Sequence, residues 1–276
     1  MGLSVYNNVE AMNAHRVLTN TNNSLSKSME RLSSGLRINR AADDAAGLAV
    51  SEGMRSQIRG MNVASRNAQD GISMVQVADG ALGSVGDMLQ RVRDLAVQAS
   101  NGTLTDSQRT NLDTEVQQLM TEIGKTGTDT EFNGLKIMAG SVATAGTAVT
   151  LQVGANASQS IAFTIGTVST SDLGISGIAV GTAASATAAI ASLDAAISTV
   201  TTSRANLGAI QNRLENTISR LGMTAENLQS AESRIRDADM AQEMIKFTKN
   251  QILQQSGTAI LSQANQAPQS VLSLLR

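Results

Sequence analysis

The chain has 276 residues, with 21 Lys and Arg against 23 Asp and Glu, one His, one Pro, one Tyr, three Phe and no Cys or Trp. Near-neutral charge and scarce aromatics exclude a basic, base-stacking nucleic-acid surface, and the missing Cys excludes disulfide staples. No apolar run approaches a membrane-spanning length, and Met1–Asn8 has neither a basic nor an apolar leader segment, so neither a membrane anchor nor an ordinary signal peptide is expected.

Residues 1 to about 36 carry Val5, Val9 and Met12, then Leu18, Leu25 and Leu32 seven apart, with Met29 and Leu36 beside them. This spacing predicts an amphipathic helix. Its other faces are rich in Asn and Ser, so it is marginal alone and is expected to be disordered until something covers the stripe. Residues 35–40 read as a linker, after which Asn39 or Asp43 could cap a second helix. Along that helix Met54, Met61, Ala68, Val75, Leu82, Leu89 and Ala96 repeat every seven residues. Ala64, Gly71, Ala78, Val85, Val92 and Ala99 follow three positions on, completing a coiled-coil seam that Asn101-Gly102 ends. Thr105 and Gln108 match a capping box, and Leu112, Val116, Leu119 and Ile123 predict a shorter helix closed by Gly124 and Gly127.

From about 134 the period becomes two. Val149, Leu151 and Val153, then Ile161, Phe163 and Ile165, predict a β-hairpin within a region of about 140–182. A stripe of Leu193, Val200, Leu207, Leu214, Leu221, Leu228 and Ile235 follows, unbroken by proline. A helix over that span is about 60 Å long and needs partners along its length. Residues 236–239 read as a joint. The last segment places Leu253, Ile260, Ala267 and Leu274 at one heptad position and Gly257, Ala264 and Val271 at the other, with a kink or break expected at Pro268.

The expected fold is therefore mainly α: an elongated antiparallel coiled coil or helical bundle with a small β-hairpin, and termini paired as a second coiled coil. The expected domains are 1–40 with 238–276, and 41–237. The intrasubunit seam is assigned to Met61, Leu82, Leu89, Leu207, Leu214, Leu221 and Leu228.

Catalytic, cofactor and metal sites find no support. Asp43-Asp44 has no neighbouring His or Cys and suits a helix N-terminus. His15, the only histidine, falls on the polar side of the first helix, and no nucleophile elbow, phosphate loop or zinc motif occurs. Met at helical spacing is core filler. In Gln90–Val97, Arg91 and Leu95 point away from the seam, which makes a solvent-side leucine beside an arginine a candidate contact.

Several stretches together resemble bacterial flagellins. They include Ser33-Ser34-Gly35-Leu36-Arg37-Ile38-Asn39, Asp43-Asp44-Ala45-Ala46-Gly47-Leu48-Ala49 and Ser65-Arg66-Asn67-Ala68-Gln69-Asp70-Gly71-Ile72-Ser73. Gln90–Val97, Phe132-Asn133-Gly134, Ser233–Asp239, Gln251–Gln255 and Gln263–Arg276 add to them. The resemblance covers about 1–140 and 183–276 and implies a short form without large outer domains. It implies a self-assembling filament subunit, exported unfolded by the flagellar secretion apparatus to the extracellular flagellum and added at the distal tip under a cap protein. The termini would form an inner tube through Leu18, Leu25, Leu32, Leu253, Ile260, Val271 and Leu274, and residues 41–237 an outer tube. Implied partners are other copies of the chain, cap and hook-junction proteins, an export chaperone on the C-terminal segment, and a host innate immune receptor. Arg91, Leu95 and Glu115 would contact that receptor, with Asp94 standing where Glu is common. No cofactor, nucleic acid or membrane is implied. The hook–filament junction protein is the alternative. A secreted enzyme on the same scaffold would need a catalytic insertion, and residues 140–182 contain no His, Cys or Glu.

Overall fold

The heptad stripes become helices, and the period-two segments become strands. A computed structural model describes residues 7–139 and 148–274. Its helices are α1 (Val9–Ser34), α2 (Ala45–Ala99), α3 (Asp106–Asp129), α4 (Ala183–Arg236) and α5 (Met240–Leu274). Two antiparallel strand pairs lie between α3 and α4: β1 (Glu131–Phe132) with β2 (Leu135–Lys136), and β3 (Val149–Gln152) with β4 (Ser160–Phe163). The chain divides into two compact units, residues 57–226 and residues 1–56 with 227–276.

In the 57–226 unit the seam residues Met61, Leu82, Leu89, Leu207, Leu214 and Leu221 are all buried. The small positions Ala64, Ala68, Ala78, Ala96 and Ala99 are buried with them and let the helices approach closely. Arg93 pairs with Asp194 at 2.6 Å and Arg204 with Asp79 at 2.8 Å. Partners descend along α4 as they ascend along α2, so the helices run antiparallel. Both pairs are exposed, so they set alignment more than they add stability. A window of α4 has the length and mean hydropathy, 1.3, of a membrane span, which corrects the expectation from sequence. Leu193, Ala196 and Val200 of α4 pack into the core, and 28% of that window is buried.

The capping box of α3 is present, with Gln108 N–H donating to Thr105 and Thr105 N–H to the Gln108 side chain. Gly124 and Gly127 do not close the helix, which continues to Asp129. Gly127 instead permits close approach: a Cβ there would fall on the Val168 carbonyl. Arg109, which sequence spacing did not mark, is buried at 7% exposure. It donates to the carbonyls of Ala99 and Asn101, both at 2.9 Å, and to Asp106 at 3.0 Å. Its guanidinium thus serves the open carbonyl end of α2, where positive charge is favoured.

The expected hairpin forms, with Val149 opposite Phe163 and Leu151 opposite Ile161. Its residues 140–147 lie outside the described residues. Ile161, Phe163 and Ile165 are buried. The hairpin docks on α2, where Asn67 Nδ2 donates to the Gln152 carbonyl at 3.0 Å. A Cβ on Gly71 would overlap the Leu151 side chain, so this seam position accepts only glycine without repacking. The first hairpin turns on Asn133 and Gly134 at φ 51° and 74°, a positive-φ Asn-Gly pair left unread as a turn in the sequence.

In the other unit, Asp44 rather than Asn39 or Asp43 caps α2, accepting from the Gly47 N–H at 2.8 Å. Asp43 accepts from the Arg40 and Asn39 amides of the preceding turn, and the Arg40 bond leads in holding its carboxyl below the ordinary value. The reason for the shift is geometric: the chain turns through 40–43 before the helix starts.

Candidate functional site

The terminal helices α1 and α5 pack on each other. Asn8 reaches Ala264, and Ser28 reaches Glu243, so the pair is antiparallel. The linkers at its base are stitched together. Gly35 ends α1 at φ 71°, and its carbonyl accepts from the Ala238 N–H at 2.9 Å. Arg37 donates through its guanidinium to the Ile235 carbonyl at 2.6 Å and through its backbone to Arg236 at 2.6 Å. Asp239 then caps α5, accepting from Ala241 and Gln242.

The contacting face of α1 is Leu18, Thr21, Leu25, Ser28 and Leu32, where Thr21 and Ser28 are buried and the leucines half-buried. On α5 the matching face is Glu243, Phe247, Asn250, Gln254, Gly257, Leu261 and Ala264. This corrects the expected seam. Gly257 and Ala264 belong to it, but Leu253 and Ile260 do not; they are 46% and 58% exposed. The pairing selects a polar and small-residue column because Gly257 lets Leu18 approach, its nearest atom 3.2 Å from where a Cβ would stand. Val271 and Leu274 lie on helical backbone, their side chains outside the described residues.

Pro268 does not break α5. A proline has no N–H for the carbonyl four residues back, which here is Ala264. Asn8 Nδ2 donates to that carbonyl at 2.7 Å, so α1 satisfies what the proline leaves open.

Glu243 is the buried charge of the pair, 5% exposed. It accepts from Ser28 at 2.7 Å and Lys246 at 3.1 Å, with Arg31 at 4.0 Å, and Lys27 and Lys249 line the same groove. Burial pushes its pKa up. The Ser28 bond and the Lys246 and Arg31 charges outweigh this and hold it below the ordinary value of 4.5. A depressed carboxylate adds stability that is full above the unfolded-state value and lost as pH falls through the lower folded-state value. Glu243→Gln is therefore expected to flatten the loss of terminal-helix stability below about pH 4.5, read by amide exchange along a pH series. An unchanged acid limb would reject Glu243 as its source.

The remaining surface of this unit is unusual. Val9, Met12, Val17 and Met29 on α1, and Met240, Met244, Ile245, Ile252, Leu253 and Ile260 on α5, are exposed. The helix pair thus shares its inner contact between apolar groups such as Leu18, Leu25, Phe247 and Leu261 and polar ones such as Ser28, Glu243 and Asn250, and leaves a second apolar face open.

Of the three residues expected from the resemblance to contact a receptor, Arg91 and Glu115 meet on the surface, with Arg91 Nη2 donating to Glu115 Oε1 at 2.7 Å. Leu95 is not solvent-side; it is 2% exposed. Here α2 is flanked by both α3, through Arg91 and Glu115, and α4, through Arg93 and Asp194, so its buried arc is wider than a two-helix seam. Leu228 is half-buried, in the terminal unit. Asp43 and Asp44 serve the turn and cap, and His15 is exposed.

Comparison with known proteins agrees with this organisation. The bacterial flagellin N-terminal helical region matches residues 5–143, and the C-terminal helical region matches 190–275. The chain is 50% identical to a flagellar filament 33 kDa core protein of Treponema phagedenis, over 99% of each. It is 47% identical to a flagellin of Bacillus subtilis, over 99% of this chain and 100% of that one. The crystal structure of Bacillus cereus flagellin is similar at TM-score 0.51 and 31% identity, covering 60% of this chain and 94% of that one. The paired terminal helices, the long antiparallel seam and both matched regions place this chain in the bacterial flagellin family.

Proposed function

We propose that the chain is the structural subunit of a bacterial flagellar filament, assembled through the open apolar faces of α1 and α5. The observation that carries this is the second apolar face of that helix pair: Ile252, Leu253 and Ile260 stand exposed on α5 although they are not used in its contact with α1. Copies of the chain would cover those side chains in a helical array, with residues 1–40 and 238–276 as the inner tube and 41–237 as the outer tube. The thin apolar inventory of α1 suits a segment that is exported unfolded and orders on assembly. The C-terminal face is available to an export chaperone beforehand, and growth proceeds at the distal tip beneath a cap protein, beyond the hook-junction proteins. The role is structural rather than catalytic. Removing residues 241–276 should abolish polymerisation while α2–α4 stay helical; filaments from that truncation would sink the proposal.

Recognition by an innate immune receptor is centred on the exposed Arg91–Glu115 pair. Leu95 supports it from below by packing. Arg91→Ala should lower receptor signalling without changing the unfolding transition, because exposed ion pairs contribute only about 0–1 kcal/mol. Leu95→Ala should lower stability as well. Full signalling from Arg91→Ala would remove Arg91 from the contact.

A further inference from the structure

The open faces of the terminal unit are rich in soft sulfur. The chain has 12 Met and no Cys, so thioethers are its only sulfur targets for oxidation. Met61, Met74, Met120 and Met138 are buried in the 57–226 unit, shielded by the core. Met223, on α4 of the same unit, is 59% exposed and belongs to neither α1 nor α5. Met12, Met29, Met240 and Met244 are 68%, 56%, 46% and 49% exposed in the terminal unit. Their neighbours on the same helices, Val9, Ile245 and Leu253, have no oxidisable group, so the sulfur marks where chemistry can enter these faces.

We infer that Met12, Met29, Met240 and Met244 of the free subunit are sites of oxidation by hydroperoxides, and that their sulfoxides block assembly. In each step the thioether lone pair attacks the peroxide, the O–O bond breaks and an S–O bond forms. Sulfur loses two electrons, the second peroxide oxygen takes them, and with proton transfer it leaves as water or an alcohol. The product is a polar, chiral side chain where an apolar one is required. This inference rests on the assembly faces proposed above. It adds that assembly itself protects the sites, since a neighbouring copy covers the sulfur. Sulfoxides are reduced by methionine sulfoxide reductases, so the block is reversible.

The test treats purified full-length subunit and preformed filament with hydrogen peroxide and maps oxygen addition by peptide mass spectrometry. In the free subunit the four sites should oxidise ahead of the four buried ones, and in the filament they should be protected. Oxidised subunit should need at least about tenfold more protein to extend seeds, given what each apolar contact contributes. Reductase with a thiol should restore growth. A variant with Met→Leu at all four sites should extend seeds equally well before and after peroxide. Normal seed growth by subunit carrying all four sulfoxides would overturn the inference, as would equal sensitivity in the Met→Leu variant. Loss of assembly in Leu253→Asp/Ile260→Asp, with no effect of oxidation, would leave the assembly face standing and reject this inference alone.

Discussion

A chain carrying Leu253→Asp and Ile260→Asp is expected to stay monomeric when mixed with filament seeds, with its helical content unchanged. Neither side chain touches the core of its own subunit; both stand on the open side of α5. Their substitution therefore costs the isolated chain little, within about 0.5 kcal/mol as for other surface changes. Between copies the cost is different. Each lost apolar contact is worth about 1.5–3 kcal/mol, and a carboxylate forced into a dry interface costs more. Two such losses raise the concentration needed for growth by at least about a hundredfold. Sedimentation and circular dichroism on one sample separate the two effects. Filament growth at the ordinary concentration would show that this face is not between subunits.

Arg109→Ala is expected to destabilise the 57–226 unit by about 3 kcal/mol. Arg109 is buried and donates to Ala99, Asn101 and Asp106. Its removal leaves the Ala99 carbonyl at the buried end of α2 without this donor, while the Asn101 carbonyl keeps the Leu104 N–H. Hydrogen bonds from a charged donor contribute about 1.5–3 kcal/mol each, and the exposed Asp106 recovers its own in solvent. Arg93→Ala is the matched control. Its pair with Asp194 is shorter, at 2.6 Å, but exposed, so it should cost no more than about 1 kcal/mol. Urea titration of both variants checks the contrast. Equal effects would mean that Arg109 acts only as a surface charge.

The parts of the fold legible in the sequence are those with one partner of one kind. Of the stripes Met54–Ala96 and Leu193–Ile235, Met61, Leu82, Leu89, Leu193, Leu207, Leu214 and Leu221 are buried where apolar columns lie within one unit, while Met54, Leu228 and Ile235 are half-buried. The hairpin read correctly because Ile161 and Phe163 alternate against a single buried side. Where a helix has two burial partners, the reading failed. On α5 the apolar heptad of Leu253 and Ile260 looked like the seam, whereas the polar column through Asn250 and Gln254 meets α1. On α2, Leu95 looked exposed because a seventh-residue count allows for one neighbour and this turn has two. Arg109 carried no local signal, since the carbonyls it serves belong to the preceding helix. The joint was visible only as a pause in the pattern; the bridge of Leu36 to Asp237 joins residues that no spacing relates.

Electron microscopy of purified chain added to filament fragments decides whether the chain is a filament subunit. The fragments should lengthen into tubes in proportion to the added protein. Fragments that keep their length across a wide range of added protein, while the chain remains folded and monomeric, would contradict that role.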